Sequence, residues 1–288
     1  MGQTSKLSIT QLTPSLGAEI TGIDLLQLDQ GEFELIQQAW LEHKVVFIRD
    51  QTLDLLSLCQ FSSRFGDLMR LPYIAPVENF PDVICVRKEA DEINMGVFGG
   101  EWHSDFSFLS EPPKASILYG EVIPVVGGDT LWANMAHAWK AMPKAMRSKL
   151  IGKNAIHTGA PYGVQNAPQQ SIQFNGSIKI ERNNPEADEI ILHPAVCRHP
   201  QTGEEMLFVS PTYTIGIEGM NKLESENLLA DIYQHCTRPE FTCRFCWRPG
   251  TVAIWDNRNT MHYAVNDYDG CQRVLYRTTI AGHAPLSA

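Results

Sequence analysis

His103 and Asp105 are the two side chains whose types and spacing first indicate chemistry in this sequence. They lie in the aromatic run GEWHSDFSFL (100–109), separated by one serine. If the run is a strand, residues i and i+2 project to the same side about 6 to 7 Å apart, so both side chains share a face. A buried carboxylate is costly unless it is paired or bound to a cation. The pair alone also fits a core histidine beside a surface aspartate.

A third candidate ligand, His262, lies near the C-terminus in WDNRNTMHYAVNDY (255–268). Two imidazoles and one carboxylate on one face of a metal leave positions open, as in non-haem Fe(II) oxygenases. The same three ligands can hold zinc in a hydrolase, where the metal activates water. A barrel that binds a metal or a small acid without turnover is a third interpretation. All three remain open from these residues.

Two arginines follow in RVLYRTTI (273–280). With a period of two, Arg273, Leu275, Arg277 and Thr279 line one face of a strand. A planar guanidinium matches a carboxylate in bidentate fashion, so a buried arginine here predicts an anionic ligand. The alternative is that both arginines lie on a solvated exterior face, which is the usual environment of arginine.

Short β-like segments separated by turn residues dominate the chain after Asp82, including VICV, FSFL, SILYGEVI, VAIW and RVLYRTTI. A strand pair within 7–26 and a buried strand at 45–49 precede them. Helical spacing is found at 33–43, 53–65, 136–150 (broken by Pro143) and 222–236. The pattern predicts a mainly β domain with flanking helices, either a β-barrel or a double-sheet jelly roll.

One domain spanning 1–288 is the expectation for a chain of this length. The stretch 159–189 is long, polar and rich in Gly, Asn and Pro, which favours a lid over an idle loop. The formal net charge is −10 with scattered Lys and Arg, so nucleic acid is not an expected partner. With no apolar run long enough for a signal peptide or a membrane span, we expect a cytoplasmic protein.

Seven cysteines with no small-scaffold spacing are read as reduced thiols. Cys243 and Cys246 form a CxxC within FTCRFCW, which has the alternation of a strand. Because positions three apart on a strand point to opposite faces, we expect the two sulfurs not to converge on a metal.

Several motifs together resemble the taurine dioxygenase / 2,4-D dioxygenase (TauD/TfdA) family of Fe(II)- and 2-oxoglutarate-dependent oxygenases. They are LGAEITGIDL, WHSDFSF, GGDTLWANM, HPAVCRHPQTGEEMLFV, WDNRNTMHYAVNDY and RVLYRTTIAG, and they span nearly the whole chain. The resemblance implies a double-stranded β-helix (jelly roll, cupin-like) and iron ligation by His103, Asp105 and His262. It also implies that Thr130 and Arg273 hold the distal carboxylate of 2-oxoglutarate.

The activity implied is oxidation of an aliphatic C–H of a small anionic substrate by O2, with release of succinate and CO2. Hydroxylation of a carbon that bears a heteroatom would be followed by cleavage. Arg277 matches a position that, in the family, can contact the anionic group of the substrate or assist the co-substrate arginine. Family members often self-associate, so a homo-oligomer is expected.

The chain departs from the taurine-type pattern at the substrate positions. Leu71 stands where those enzymes carry a sulfonate-binding histidine, and Gly99 aligns near their polar residue. These departures predict an organic acid with a hydrophobic body, closer to the aryloxyalkanoates than to taurine. The alternative is that the apolar residues only pack the barrel mouth. The predicted substrate contacts are Leu71, Tyr73, Ile74, Val97, Phe98, Gly99 and Arg277.

Overall fold

The computed structural model describes residues 7–165 and 176–288, and strands predominate over helices in this part of the chain. The strands, in chain order, are β1 (Ser8–Gln11), β2 (Ala18–Thr21), β3 (Val45–Ile48), β4 (Val83–Lys88), β5 (Ala115–Val122), β6 (Thr130–Asn134), β7 (Asn154–His157), β8 (Ile191–Pro194), β9 (Val196–Arg198), β10 (Glu205–Leu207), β11 (Thr214–Ile217), β12 (Thr242–Phe245), β13 (Thr251–Asp256), β14 (Thr260–Ala264), β15 (Arg273–Ile280) and β16 (Leu286–Ser287). The helices are α1 (Gln30–His43), α2 (Leu55–Ser63), α3 (Met135–Ala141), α4 (Lys144–Arg147) and α5 (Lys222–Cys236). The predicted mainly β class with flanking helices is confirmed.

The two longest helices begin at capping boxes. In α1, the side chain of Asp29 accepts from the backbone N–H of Glu32, whose carboxylate in turn accepts from the backbone N–H of Asp29. Asn221 and Glu224 form the same exchange at the start of α5. Each box satisfies two backbone donors that the first helical turn leaves free, which fixes where the helix begins. The predicted break at Pro143 separates α3 from α4.

The largest sheet has seven strands in the order β1-β2-β3-β13-β5-β15-β4. All neighbours are antiparallel except β2 and β3. Alternation along β13 separates two packing layers: Val252 and Ile254 face helices α1 and α2, whereas Ala253 and Trp255 face the opposite side. The helices therefore cover one face of this sheet and leave the other face for the interior.

A three-stranded sheet, β12-β6-β14, contributes to that interior layer. Phe47 and Trp255 from the large sheet pack with Trp132 and Phe245 from the smaller one. Strands β14 and β15, which carry the candidate histidine and the two arginines, thus lie in two sheets that share one core. Two further three-stranded sheets, β11-β7-β8 and β10-β9-β16, complete the β structure of the described residues.

The expected strand through FSFL is wrong. After a single bridge between His103 and His262, the chain turns, and Phe106 adopts a left-handed φ of 47°. A residue in that conformation cannot continue a strand, so the run of aromatic residues forms a buried turn. The remaining predicted strands and helices are present, with boundaries that differ by one to a few residues.

Cys243 lies in β12 and is buried, whereas Cys246 lies one residue beyond the end of β12 and is exposed, which agrees with the expectation that the two sulfurs do not converge. All seven cysteines are free thiols. Among the helices of the described residues, none combines the length and the apolar character needed to cross a bilayer.

Candidate active site

Three candidate ligand atoms from two distant parts of the chain meet in the interior. The Nε2 atoms of His103 and His262 lie 3.6 and 3.7 Å from Oδ1 of Asp105. One ligand atom from each of the three residues lies within 4.8 Å of the others, and all three side chains are buried. Two imidazole nitrogens and one carboxylate oxygen on one side of a small volume are the donor set of a non-haem Fe(II) site with open positions.

Backbone pairing places the two histidines side by side. The amide of His103 donates to the carbonyl of His262 at 3.0 Å, and the amide of His262 donates back at 2.8 Å. The Nδ1 atom of His103 lies 2.7 Å from the carbonyl oxygen of Glu101. Because a carbonyl can only accept, Nδ1 carries the hydrogen and Nε2 keeps its lone pair for a metal.

Asp105 has one oxygen committed to protein partners and one oxygen directed to the histidines. Its Oδ2 atom accepts from Arg277 at 2.7 Å and from the hydroxyl of Ser116 at 2.8 Å. The side chain of Asn257 holds the backbone of Asp105 on both sides, accepting from its amide at 2.6 Å and donating to its carbonyl at 2.8 Å. The turn that replaces the expected strand is therefore fixed by an asparagine 152 positions later.

Charges in this cluster favour the forms that bind a metal. Burial alone would raise the pKa of Asp105, but Arg277 and the two histidines hold that pKa well below its ordinary value. Burial and the neighbouring His103 lower the pKa of His262 far below its usual range. An ionised carboxylate and neutral imidazoles are the protonation states that metal ligation requires.

Arg273 is buried at the start of β15, four residues before Arg277, and two of its nitrogen donors have no described partner. Its side chain is 4% exposed, and Nε and Nη2 have no hydrogen-bond partner among the described residues. A buried guanidinium with free donors is costly unless an anion meets it. The residues around Arg273 therefore fit a carboxylate ligand such as the distal end of 2-oxoglutarate.

Thr130 lies close to Arg273 through a shared neighbour, Trp247. The indole N–H of Trp247 donates to the Thr130 hydroxyl at 2.9 Å, and the same ring lies 5.7 Å from the guanidinium carbon of Arg273. The Thr130 hydroxyl accepts this bond and so keeps its own hydrogen for a ligand. Gly128, at φ 69°, permits the close approach, because a Cβ atom there would lie 3.1 Å from the Arg273 side chain.

Both arginines of β15 face the interior, so the alternative of a solvated exterior face is wrong. Arg277 is 3% exposed and pairs with Asp105. On the other face of the strand, Thr278 contacts Ser62 of α2 through a 2.6 Å hydrogen bond between hydroxyls. The alternation predicted from the sequence thus holds along the strand.

A cavity of about 600 Å³ opens beside the ligand cluster. Three of the predicted substrate residues, Val97, Phe98 and Gly99, line it together with His103. The lining also includes residues of 159–189 that the sequence did not single out: Pro161, Tyr162, Ile180 and Arg182. Positions 166–175 of that predicted lid lie outside the described residues.

The other apolar candidates lie behind this lining. Leu71 and Ile74 are 4% and 3% exposed in a packed cluster with Phe106 and Phe108. Tyr73 stacks on Tyr162 with ring centroids 5.2 Å apart. Leu71, Tyr73 and Ile74 are not among the residues that line the cavity. This arrangement agrees with the packing alternative, and direct contact of these three residues with a substrate stays a prediction.

Three residues that support the site were not anticipated: Ser116, Trp247 and Asn257. Each acts on a predicted site residue and not on a ligand directly. Asn257 lies in the WDNRNT segment that leads to His262. An asparagine in a predicted turn close to a candidate ligand was the sequence signal that could have identified it. Ser116 and Trp247 lie within ordinary strand-like segments that carry no such signal.

The profile of the family described as "Taurine catabolism dioxygenase TauD, TfdA family" matches residues 8–279. The chain belongs to this family. It is 35% identical to an alkylsulfatase of Acinetobacter baylyi over 99% of this chain and 88% of that protein. It is 34% identical to an alpha-ketoglutarate-dependent sulfate ester dioxygenase of Pseudomonas putida over 98% of this chain and 91% of that protein. A crystal structure of a taurine dioxygenase from Burkholderia xenovorans superposes with a TM-score of 0.80, at 34% identity, over 98% of this chain and 93% of that chain.

The TauD/TfdA chain described here is an oxygenase that depends on Fe(II), 2-oxoglutarate (alpha-ketoglutarate) and O2. This confirms the predicted enzyme class and co-substrates. Neither the zinc hydrolase nor the non-catalytic barrel is favoured, since neither accounts for the family match or for a buried arginine whose Nε and Nη2 atoms have no described partner.

Proposed function

We propose that His103, Asp105 and His262 bind the iron and that Arg273 and Thr130 bind the distal carboxylate of 2-oxoglutarate. The observation that carries this assignment is that the two carboxylate oxygens of Asp105 have different partners. Its Oδ2 atom is held by Arg277 and Ser116, which leaves Oδ1 directed to the two Nε2 atoms. The free donors of buried Arg273 support the second half of the assignment.

When bound, Fe(II) and 2-oxoglutarate supply the oxidation of an aliphatic C–H by O2, with formation of succinate and CO2. The chain's own residues hold these groups, exclude water and orient the substrate. Trp255 and Trp132 pack beneath the ligand cluster, with the Trp255 ring 4.8 Å from the ring of His262. This dry wall keeps solvent from one side of the site.

The substrate class we propose is an alkyl sulfate ester. Its support is the 34–35% identity to two enzymes of sulfate esters, together with a cavity that pairs apolar lining residues with a cation. Hydroxylation of the carbon that bears the ester oxygen would yield an unstable product that separates into an aldehyde and inorganic sulfate. An aryloxyalkanoate, which also combines a hydrophobic body with an anionic end, is the alternative that the test includes.

We further propose that the sheets form one double-stranded β-helix, a jelly roll, within a single domain of 1–288. The similarity to a taurine dioxygenase structure supports this fold. The lid function of 159–189 is supported by the four residues of that segment that line the cavity. A homo-oligomeric assembly and a cytoplasmic location stay predictions.

The test measures succinate formed from 2-oxoglutarate with hexyl sulfate, 4-chlorophenoxyacetate or taurine as substrate, in the presence and absence of O2. We expect the highest kcat/KM with hexyl sulfate and one inorganic sulfate released per succinate. Anaerobic enzyme with Fe(II) and 2-oxoglutarate should also show a weak visible charge-transfer band. Sulfate release without O2 would contradict the oxygenase mechanism, and a preference for taurine or 4-chlorophenoxyacetate would contradict the substrate class.

A further inference from the structure

Arg182 is the single arginine or lysine among the described residues that line the cavity beside the ligand cluster. Its Nη1 atom donates to the carbonyl of Pro161 at 2.7 Å, and among the described residues no carboxylate forms an ion pair with it. Glu101 also lines the cavity, but its side chain is exposed and forms no ion pair with Arg182. Arg182 therefore brings a positive charge to this space that no described carboxylate cancels.

Arg277, whose contact with the anionic group of the substrate stays a prediction, already has partners within the protein. Its guanidinium is bonded to Asp105 at 2.7 Å and to Ser116 at 3.0 Å, and it is absent from the residues that line the cavity. Among the described residues that line the cavity, an anion therefore meets one arginine, Arg182, which forms no ion pair with a described carboxylate. Because no described carboxylate competes for the guanidinium of Arg182, its charge attracts an anion in the cavity.

Tyr162 and Tyr213 add a hydrogen-bond donor to the same wall. Both side chains are buried and line the cavity, and their hydroxyl oxygens lie 3.4 Å apart. Only one hydroxyl hydrogen can lie between two phenols, so the other hydrogen has no acceptor among the described residues. Burial raises the pKa of Tyr162 to about 12, so this phenol is a neutral donor near neutral pH.

Aromatic packing holds the two phenols in place. The ring of Tyr162 stacks on Phe106 at 5.8 Å with an interplanar angle of 12°, and the ring of Tyr213 lies 4.9 Å from Phe108. Phe106 follows the ligand Asp105 directly in the chain. The two phenols thus pack against the same buried turn that contains Asp105. This packing fixes the position of their hydroxyl groups relative to the proposed metal site.

We propose that Arg182 and the Tyr162–Tyr213 hydroxyl pair bind the anionic group of the substrate, while Val97, Phe98 and Ile180 receive its hydrophobic body. The inference rests on the proposed function, because it concerns the substrate of that same site. Arg182 is then a specificity-determining residue, and it discriminates substrates by charge. A neutral compound of the same length lacks the group that these donors recognise.

The experiment compares hexyl sulfate with the neutral hexyl methyl ether. Anaerobic enzyme loaded with Fe(II) and 2-oxoglutarate is titrated with each compound by calorimetry, so that no turnover occurs. We expect Arg182→Gln to raise the Kd of hexyl sulfate by about 10- to 100-fold and that of the ether by less than about twofold. Arg182→Lys should recover part of the loss, since a point charge remains.

Two further variants complete the design. Tyr213→Phe removes one neutral donor and should raise the Kd of hexyl sulfate by about threefold. Arg238→Gln is the matched control, because Arg238 is exposed and pairs with Glu240 outside the cavity. It should leave both Kd values unchanged.

Equal losses for hexyl sulfate and the ether in Arg182→Gln would overturn the proposal, since they would show that Arg182 only holds the Pro161 carbonyl. An unchanged Kd for hexyl sulfate would also overturn it while leaving the proposed function intact, because wild-type turnover is measured separately. A wild-type enzyme that neither binds nor oxidises hexyl sulfate would contradict the substrate class and the anion site together.

Discussion

Two buried carboxylates in this protein, Asp256 and Asp105, both lie beside an arginine and histidine. They differ in how many of their oxygen atoms accept hydrogen bonds. Asp256 accepts from Arg258 on both oxygens, at 2.8 and 2.6 Å, and its Oδ2 atom lies 2.9 Å from Nε2 of His199. Asp105 accepts from Arg277 on Oδ2 only, and its Oδ1 atom has two imidazole nitrogens at 3.6 and 3.7 Å, beyond hydrogen-bond distance. One cluster is closed by its own side chains, and the other is left open on one side.

We infer that this difference separates a structural carboxylate, Asp256, from a proposed metal ligand, Asp105. Burial would raise the pKa of Asp256, but Arg258 and His199 hold that pKa at about 2, so the closed cluster needs nothing further to stay ionised. Nδ1 of His199 also accepts from the backbone amide of Thr202, so Nε2 carries the hydrogen and donates to Asp256, which joins the turn after β9 to the end of β13. Asp105 has an oxygen that the protein does not satisfy, and a cation would satisfy it.

The largest effect on activity that we expect comes from removing the carboxylate of Asp105. Asp105→Ala removes the carboxylate ligand, so succinate formation coupled to O2 should fall by about a thousandfold or more. Metal binding, measured by equilibrium dialysis with Fe(II) under argon, should weaken in parallel. His103→Ala should behave in the same way. Normal turnover in either variant would contradict the metal assignment.

Asp256→Asn should instead damage the fold. It leaves the partly buried guanidinium of Arg258 and the ring of His199 without their carboxylate. Breaking a fully buried pair typically costs about 3–5 kcal/mol in the free energy of unfolding, and because Arg258 is partly solvated we expect a loss at the lower end of that range. Urea denaturation measures this loss. The fraction that remains folded should bind Fe(II) with wild-type stoichiometry, because Asp256 is not one of the three ligands. Loss of metal binding without loss of stability would make the two clusters equivalent and would refute the distinction.

The sequence predicted the open cluster better than the closed one. His103, Asp105 and His262 were found because metal chemistry restricts residue types, and Arg273 and Arg277 because a period of two places both on one face. The strand expected for the aromatic run was wrong, although its ligands still converge. The bridge to His262 and the side chain of Asn257 fix that turn, and both contacts join residues more than 150 positions apart.

Substrate residues were harder to predict for a different physical reason. Hydrophobicity indicates that Leu71 and Val97 avoid water, but it does not distinguish a side chain that packs against its neighbours from one that faces a cavity. Arg182 lies in a polar stretch without periodicity, so no face could be assigned to it. The elements that a repeat of two or of 3.6 residues defines were therefore predicted, and the lining of the cavity was predicted only in part.

Arg273→Gln extends the comparison from Asp105 to a second buried group, the guanidinium at the start of β15. Arg273, like Oδ1 of Asp105, is left unsatisfied by the protein, so we expect its loss to affect a ligand more than the fold. The KM for 2-oxoglutarate should rise by about 10- to 100-fold with a small change in kcat. Arg87→Gln, on the neighbouring strand and half exposed, is the control and should change neither constant. An unchanged KM in Arg273→Gln would refute the carboxylate assignment.

His157 provides the last test, because it is a buried imidazole without a carboxylate partner among the residues that the structure describes. Its Nδ1 atom lies 3.2 Å from the hydroxyl of Ser107, and Nε2 has no described hydrogen-bond partner. Burial, followed by the neighbouring His193, lowers the pKa of His157 to about 3. The folded protein keeps this ring neutral, whereas the unfolded chain takes up a proton below its pKa of 6.5. Stability is therefore fully present above that value and falls as the pH decreases toward 3. From about pH 7.5 to about pH 5, the free energy of unfolding should fall by about 2 kcal/mol because of His157.

Urea unfolding of wild type and His157→Gln at both pH values isolates this contribution, since the variant should lose less stability on acidification. Parallel pH dependence in the two proteins would mean that the folded state protonates this ring as readily as the unfolded chain does, and burial without a carboxylate would then not suffice to keep an imidazole neutral here.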